Sequence, residues 1–492
     1  MMNGRDPDVG THGTDNTFDR LAPFIQRFIW KHGWTELHDV QVQATAAILD
    51  TDLHVLLASG TASGKTEAAF LPILTQLYDA PSTTVGALYI GPTKALINDQ
   101  FLRLTELCAE AEVPVTAWHG DISASKKRKL RLGPRGILQI TPEALEGLVL
   151  NHSPGLSHLF GDLRWVVIDE VHAFMGSDRG GQVLCLLDRL ARFAMDRARL
   201  PRRVGLSATL GDYSDASAWL AGTTYRKVKV VSAPDDRTVH LVVDQFTVKP
   251  KDRVLTNRRN ATDARTDADG AGEDNIGHDG DQTSRVDEAI ARQRDLLKAL
   301  YGATQNLKSI IFTNSRRDAE EAISGLRRLA ERNHTSDFYF VHHGNIAAPL
   351  REAAEAAMRD GAGPACIAAT VTLELGIDIG KLDRVLQLDA PFTVASFLQR
   401  LGRTGRRGQP PEMMLFMRQE DEETSASVLE RLPWQLLQAI ALIQLYVEER
   451  WIEPVHRSIC PGSLLYHQTM STIGASGELA PPELAERVMT LA

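Results

Sequence analysis

Four short stretches carry residue types that can act on a phosphorylated ligand. The apolar run Trp165-Val166-Val167-Ile168 ends in Asp169-Glu170-Val171-His172. A buried strand that ends in two carboxylates concentrates negative charge at the mouth of a sheet. Such a pair needs a cation, and Mg²⁺ on a nucleotide is the usual one. Upstream lies the glycine-rich stretch Ser59-Gly60-Thr61-Ala62-Ser63-Gly64-Lys65-Thr66. Ser207-Ala208-Thr209 lies downstream, and Gln399-Arg400-Leu401-Gly402-Arg403-Thr404-Gly405-Arg406 lies far downstream. Alone, Asp-Glu after a strand reads as an ordinary loop start; the glycine-rich stretch upstream changes that reading.

That stretch follows a strand and opens a helix, which is the context a phosphate loop requires. Backbone N–H groups of Ser59 to Gly64 and the helix N-terminus would hold phosphates. Lys65 would pair with the β and γ oxygens, and Thr66 would ligate Mg²⁺. Ser59 and Ala62 stand where Gly is usual in the pattern; both are small. Asp169 would hold Mg²⁺ through its shell, and Glu170 would position or deprotonate the attacking water. His172 would link the nucleotide site to Ser207 and Thr209. Gln41 precedes an apolar helix and reads either as a surface Gln or as a two-sided amide on an adenine edge. Phe18 and Trp34 read as core residues before they read as base-stacking ones. Arg403 and Arg406 are three apart, so on a helix they share a face. Two such guanidinium groups can stabilise a transferring γ-phosphate as arginine fingers. With Gln399 and Arg400 they otherwise make a plain basic patch.

Further stretches follow strands, and loops there lie where parallel sheets bind ligands. In the first half they are Pro92-Thr93-Lys94, Gly120-Asp121 and Thr141-Pro142. In the second half they are Asn314-Ser315-Arg316, His343-Gly344 and Thr370-Val371-Thr372. Hydroxyls and backbone N–H groups at helix starts suit phosphodiester contacts. The run Lys126-Lys127-Arg128-Lys129-Leu130-Arg131 reads equally as a solvated helix face or a nucleic-acid track.

The 492-residue length predicts about three domains. An apolar fraction of 43% and a charged fraction of 24% belong to a globular protein. No run is long enough for a membrane-spanning helix, and the N-terminus lacks a signal pattern, so a cytoplasmic location is expected. Cys108, Cys185, Cys366 and Cys460 are far apart and form no metal-binding pair. The net charge of −9 does not exclude nucleic acid, because binding needs a local basic surface. Part of the excess sits between Asn260 and Thr283, which hold seven Asp/Glu and a single Arg.

Strands are predicted at Leu53–Ala58, Val85–Ile90, Gly136–Ile140, Trp165–Ile168 and Val204–Leu206, alternating with helical patterns. They resume at Lys308–Phe312, Tyr339–Val341, Ala365–Ala369 and Arg384–Leu388. Such alternation predicts an α/β fold with parallel sheets covered by helices. Residues 1–17 read as a disordered tail and about 250–285 as a disordered insert. After Gly408, Leu436 to Leu445 carry a helical stripe, and residues 463–491 read as helix, turn, helix.

The ordered set resembles the DExH-type superfamily 2 helicases over roughly residues 18–410. Residues 89–96, 118–121, 373–378 and 451–454 are similar to the Lhr-like (large helicase-related) branch. The resemblance implies two tandem RecA-like motor domains, 18–225 and 226–418. An incomplete helical or winged-helix segment, 419–492, would follow. It implies ATP and Mg²⁺ as ligands, with Asp378 near the ribose. It also implies 3′-to-5′ movement on single-stranded DNA, in DNA repair or defence. The alternatives are an RNA helicase or ribonucleoprotein remodeller, and a nucleic-acid clamp subunit with little unwinding.

Overall fold

Short apolar runs form the strands, and their alternate side chains enter two separate cores. In β1 (His54–Ala58), Val55 and Leu57 join one cluster and Leu56 the other. The same split recurs in β2 (Val85–Ile90), with Ala87 and Tyr89 on one face and Leu88 and Ile90 on the other. A sheet covered on both faces is what near-continuous apolar strands require.

The computed structural model describes residues 14–60, 64–196, 200–208, 211–232, 238–248, 295–360, 363–374, 379–380, 382–405, 410–420, 427–454 and 461–488. Internal contacts divide the chain into two compact units. The first is Met1–Asp236 with Pro454–Ala492, and the second is Arg237–Glu453.

The first unit holds β3 (Val115–Trp118), β4 (Gly136–Ile140), β5 (Trp165–Ile168), β6 (Arg202–Ser207) and β7 (Val228–Ser232) with β1 and β2. Its strand order is β3-β4-β2-β5-β6-β1-β7, and every pairing is parallel. Helices that position the site are α1 (Asp39–Asp50), α2 (Lys65–Asp79), α3 (Lys94–Cys108), α4 (Ala124–Leu132), α5 (Pro142–Asn151) and α6 (Asp178–Ala191).

The second unit has the parallel order β10-β11-β9-β12-β13-β8. These are β8 (His240–Val248), β9 (Lys308–Thr313), β10 (Tyr339–His342), β11 (Ala365–Ala369), β12 (Arg384–Leu388) and β13 (Glu412–Glu420). Its helices include α7 (Arg316–Arg332), α8 (Val394–Leu401) and α9 (Trp434–Val447). Then α10 (Gly462–Ser476) and α11 (Pro481–Val488) return to the first unit.

Four features differ from the sequence reading. A helix spans Thr14–Asp19 and so begins inside the stretch 1–17 expected to be a tail. Strand β7 pairs with β1, so the first sheet runs past residue 226. The segment 419–492 is divided: α9 lies on β13 and α8, whereas α10 lies on α5 and α6. Strand β6 starts at Arg202, earlier than its apolar residues suggest. The Arg202 guanidinium is satisfied there by the carbonyls of Ile48 and Leu53, and it stacks 4.5 Å from the Trp165 ring. Those carbonyls lie at and beyond the C-terminal end of α1, where helices leave acceptors open. The insert expected at about 250–285 lies outside the described residues. Among the described residues, no helix is long and apolar enough to cross a membrane.

Candidate active site

The first strand feeds Ser59 and Gly60 into the loop that opens α2. Gly64 adopts φ +77° at the helix start, and a Cβ there would stand 2.7 Å from Gln41 Nε2. A side chain there would be strained by the left-handed backbone and would have to displace the Gln41 carboxamide. Gln41 is buried, and its Oε1 accepts from the His38 N–H at 3.0 Å in a capping box. That bond fixes the carboxamide beside the loop. Lys65 Nζ donates to the carbonyls of Ser59 and Gly60, both at 2.8 Å. Thr66 is buried in the first turn of α2. Thr61, Ala62 and Ser63 lie outside the described residues.

Beside this loop, β5 delivers the two carboxylates. Asp169 is buried; its Oδ1 accepts from the Glu170 N–H at 2.8 Å and its Oδ2 from the Tyr89 hydroxyl at 2.5 Å. Burial first, and the Glu170 charge second, push the Asp169 carboxyl up to about 7. The Tyr89 hydroxyl is raised in turn by burial and by Asp169. Glu170 sits at φ +51°, a left-handed conformation that a glutamate adopts at an energetic cost. His172 Nδ1 shares a hydrogen bond with Ser207 Oγ at 3.0 Å and lies 3.5 Å from Glu170 Oε2. Burial pushes the His172 pKa down, which favours the neutral imidazole. Ser207 ends β6, which lies between the carboxylate strand β5 and the phosphate-loop strand β1, so His172 ties the carboxylate edge to β6. Thr209 lies outside the described residues.

A groove of about 660 Å³ collects most of the expected strand contacts of the first unit. Pro92, Lys94, Gly120 and Thr141 line it, with Trp118, Lys127 and Arg179. Thr93 caps α3 by accepting from the Leu96 N–H, and Thr141 caps α5, whose first residue is Pro142. Lys94 Nζ contacts Asp121 Oδ1 at 3.1 Å. Helix α4 divides its basic run: Lys127 sits over the Trp118 ring at 5.8 Å, and Arg131 reaches His152 at 3.2 Å, while Lys126, Arg128 and Lys129 face solvent. Phe18 and Trp34 pack against the core.

In the second unit many of the expected groups are engaged internally. Arg400 is fully buried; it donates to Glu374 Oε1 at 2.7 Å and Gln387 Oε1 at 2.6 Å. Arg403 lies beyond α8, which stops at Leu401. Gly405 sits at φ +74°, and a Cβ there would meet Pro411 at 2.5 Å. Arg403 is buried and donates to the Glu374 carbonyl. Ser315 caps α7, Asn314 Nδ2 donates to the Ala390 carbonyl at 2.8 Å, and Arg316 is exposed. His343 is buried against Glu320, beside exposed Gly344. Thr372 bonds His342 at 3.0 Å; Thr370 and Gln399 are half-buried. Asp378 and Arg406 lie outside the described residues.

Sequence reasoning missed Tyr89 and Arg179. Tyr89 left a signal, since a tyrosine inside a fully apolar strand must find a partner for its hydroxyl. Arg179 pairs with Glu143 at 2.6 Å beside the groove, and its sequence context gave no sign of it.

Known proteins agree with this arrangement. Residues 38–216 match the DEAD/DEAH box helicase family, and residues 291–408 match the helicase conserved C-terminal domain. The chain is 28% identical to the ATP-dependent helicase Lhr-Core of Saccharolobus solfataricus, over 80% of this chain and 42% of that protein. It is 31% identical to the Lhr helicase/uracil glycosylase of Escherichia coli, over 72% of this chain and 24% of that protein. The chain thus spans less than half the length of these relatives. Its fold is similar to Mycobacterium smegmatis helicase Lhr bound to ssDNA and AMP-PNP, with a TM-score of 0.74 and 24% identity over 97% of this chain and 56% of that one. The chain belongs to the superfamily 2 helicases, in their Lhr-like branch.

Proposed function

We propose that this chain is an ATP-hydrolysing motor that moves 3′ to 5′ along single-stranded nucleic acid, DNA in preference, and serves DNA repair or defence. The observation that carries the reading is the convergence of Lys65, Asp169, Glu170 and the His172–Ser207 pair at one edge of the first sheet. The residues there fit a magnesium nucleotide, because burial and the neighbouring acid push the Asp169 carboxyl up to about 7 against the pull of Lys65, and a bound cation would offset that crowding of negative charge. Thr66 and Asp169 would hold Mg²⁺, which supplies charge that offsets the phosphates.

Lys65 then exchanges the Ser59 and Gly60 carbonyls for phosphate oxygens. Glu170 orients water and takes its proton at the carboxylate. Gln41 recognises the adenine, Asp378 the ribose, and Arg403 with Arg406 the charge that develops on the γ-phosphate. Neutral His172 couples Glu170 to Ser207, so a change at the phosphates reaches β6. The groove of Pro92, Lys94, Gly120 and Thr141 holds the strand backbone, with Asn314, Arg316, Gly344 and Thr370 as contacts in the second unit.

The test is ATP hydrolysis with single-stranded DNA, single-stranded RNA or neither, followed by displacement from 3′- and 5′-tailed duplexes. Stimulation by DNA and displacement from the 3′-tailed duplex are expected. Stimulation by RNA alone would transfer the reading to an RNA helicase, and hydrolysis indifferent to either strand would overturn it.

A further inference from the structure

Strand β3 ends at Trp118, and His119 begins the turn that leads to α4, closed by the Ile122 N–H on the His119 carbonyl. His119 lines the groove of the first unit, yet it is only 3% exposed. Its Nε2 lies 2.9 Å from Asn98 Oδ1 on α3. A carboxamide oxygen only accepts, so the neutral ring carries its hydrogen on Nε2 and a lone pair on Nδ1. Nδ1 is buried and has no hydrogen-bond partner among the described residues. It lies 3.8 Å from Asp121 Oδ2, just beyond hydrogen-bond reach.

Lys94 holds Asp121 from the other direction, donating to its two oxygens at 3.1 and 3.2 Å. Gly120 makes room for that bond, since a Cβ there would stand 3.2 Å from Lys94 Nζ. Both partners are exposed, so the pair is weak and open to exchange. A carboxylate in this place is at odds with a groove for a phosphate backbone: it occupies the lysine and repels the anion. The other charges about His119 include Lys127 of α4, which sits over the neighbouring Trp118 ring. The groove also holds the Arg179–Glu143 pair, and His152, which meets Arg131. Burial first holds the His119 pKa below its ordinary value; Asp121 opposes that effect, and Lys94 and Lys127 add to it. The ring is therefore neutral at neutral pH while Lys94 holds Asp121.

We propose that His119 is a positioning residue for strand binding: when a phosphodiester draws Lys94 away, His119 takes a proton on Nδ1 and donates it to Asp121. One set of partners replaces another. Lys94–Asp121 becomes Lys94–phosphate and imidazolium–Asp121, and one proton from solvent accompanies the phosphate charge. Nε2 keeps its bond to Asn98 throughout. The arriving anion and the withdrawal of Lys94 both favour the charged ring. A group that binds its proton more tightly in the complex than in the free chain makes the complex tighter as pH falls. That gain is complete below the free-chain pKa and is lost as pH rises through the pKa in the complex. The inference rests on the groove being the strand site, and every residue it uses lies in the first unit.

The test is the affinity of the full chain for a fluorescent single-stranded deoxythymidine oligonucleotide, with saturating Mg²⁺ and a non-hydrolysable ATP analogue. It is measured at fixed ionic strength between about pH 8 and about pH 6, a range in which thymine does not titrate. Wild type should bind about tenfold more tightly at the lower pH, and calorimetry in buffers of different ionisation enthalpy should show proton uptake on binding. His119→Gln keeps a donor for Asn98 but cannot take the proton, so it should keep the weaker, high-pH affinity throughout. Asp121→Asn should bind at the higher pH about as tightly as wild type does at the lower, with a flat profile, because Lys94 then has no carboxylate to leave. A residue that only shaped the turn would change the affinity alike at every pH. His152→Gln must keep the wild-type slope. An unchanged slope in His119→Gln overturns the proposal, as does loss of the slope in His152→Gln alone. If His119→Gln does not fold, Asp121→Asn on the exposed turn replaces it, and a wild-type slope there overturns the proposal equally. Absence of oligonucleotide binding by the wild-type chain overturns the groove as the strand site, whereas binding without pH dependence overturns the role of His119 alone.

Discussion

The C-terminal edges of the two parallel sheets use charge in opposite ways. At the first, Asp169 and Glu170 stand side by side in a buried setting, and burial with mutual repulsion lifts the Asp169 carboxyl to about 7. Lys65 donates there to the backbone carbonyls of Ser59 and Gly60. At the second, opposite charges close on each other: Arg400 on Glu374, and Arg418 on Asp389 and Asp318. His342 and His343 are hydrogen-bonded to Glu355 and Glu320. One edge is built to gain from a ligand and the other to hold its own shape. The first edge has a conformational marker too, since Glu170 is held at positive φ. Residues held in rare conformations are maintained by their surroundings and cluster at reactive sites.

The contrast makes graded predictions. The largest effect belongs to Lys65→Ala, which should reduce turnover by roughly 10³-fold or more while leaving the melting temperature close to wild type; phosphate-release assays and calorimetry read the two. Loss of folding in this variant would erase the contrast. Next comes Arg400→Ala in the second unit. It leaves the Glu374 carboxylate buried without its cation, and breaking such a pair costs about 3–5 kcal/mol. Denaturant unfolding should show that loss, with the first unit's transition unmoved.

A smaller, matched pair sharpens the difference. Tyr89→Phe removes a donor to Asp169, a charge-assisted bond of about 1.5–3 kcal/mol, and should raise the Mg²⁺ concentration for half-maximal turnover roughly tenfold. Tyr339→Phe, which loses contacts to Gln305 and Thr304 in the second unit, should leave the Mg²⁺ titration unchanged.

The smallest effect is on pH. His54 is buried at the start of β1; its Nδ1 accepts from the Arg203 N–H at 2.9 Å, and its Nε2 bonds Thr224 at 2.8 Å. Burial first, then Arg203, Arg226 and Arg202, lower its pKa to about 3. The unfolded chain, with a His pKa of about 6.5, binds more protons below that pH. His54 therefore contributes full stability above about pH 6.5, and the contribution declines as pH falls toward 3. Melting curves between about pH 7.5 and 5 should fall more steeply for wild type than for His54→Asn.

The same contrast decides how much the sequence could tell. Apolar runs announced most strands of both sheets, and the glycine-rich loop and Asp169-Glu170 announced the first edge. That legibility comes from local chemistry: a phosphate loop needs its small residues in a row, and two carboxylates after a strand sit together by covalent geometry. The second edge was less legible because its partners are distant in sequence. Arg400 meets Gln387 and Glu374, and Arg418 meets Asp318 across 100 positions. Three strand starts or whole strands were obscured by polar ends or by short length. Arg202 and Arg203 look like loop residues until helix carbonyls satisfy them, β3 is only four residues long, and β13 opens and closes on glutamate. The division of the C-terminal segment was also hidden. A helical stripe states that a helix packs but not on which unit, and Glu146–Ser471 spans 325 positions.

The most direct measurement is phosphate release by Glu170→Gln, set beside its affinity for a fluorescent ATP analogue with Mg²⁺. The account predicts affinity close to wild type and turnover lowered by about 10²–10⁴-fold, the range for a positioned general base. Turnover at the wild-type rate in Glu170→Gln would contradict the assignment of ATP chemistry to the edge of the first sheet.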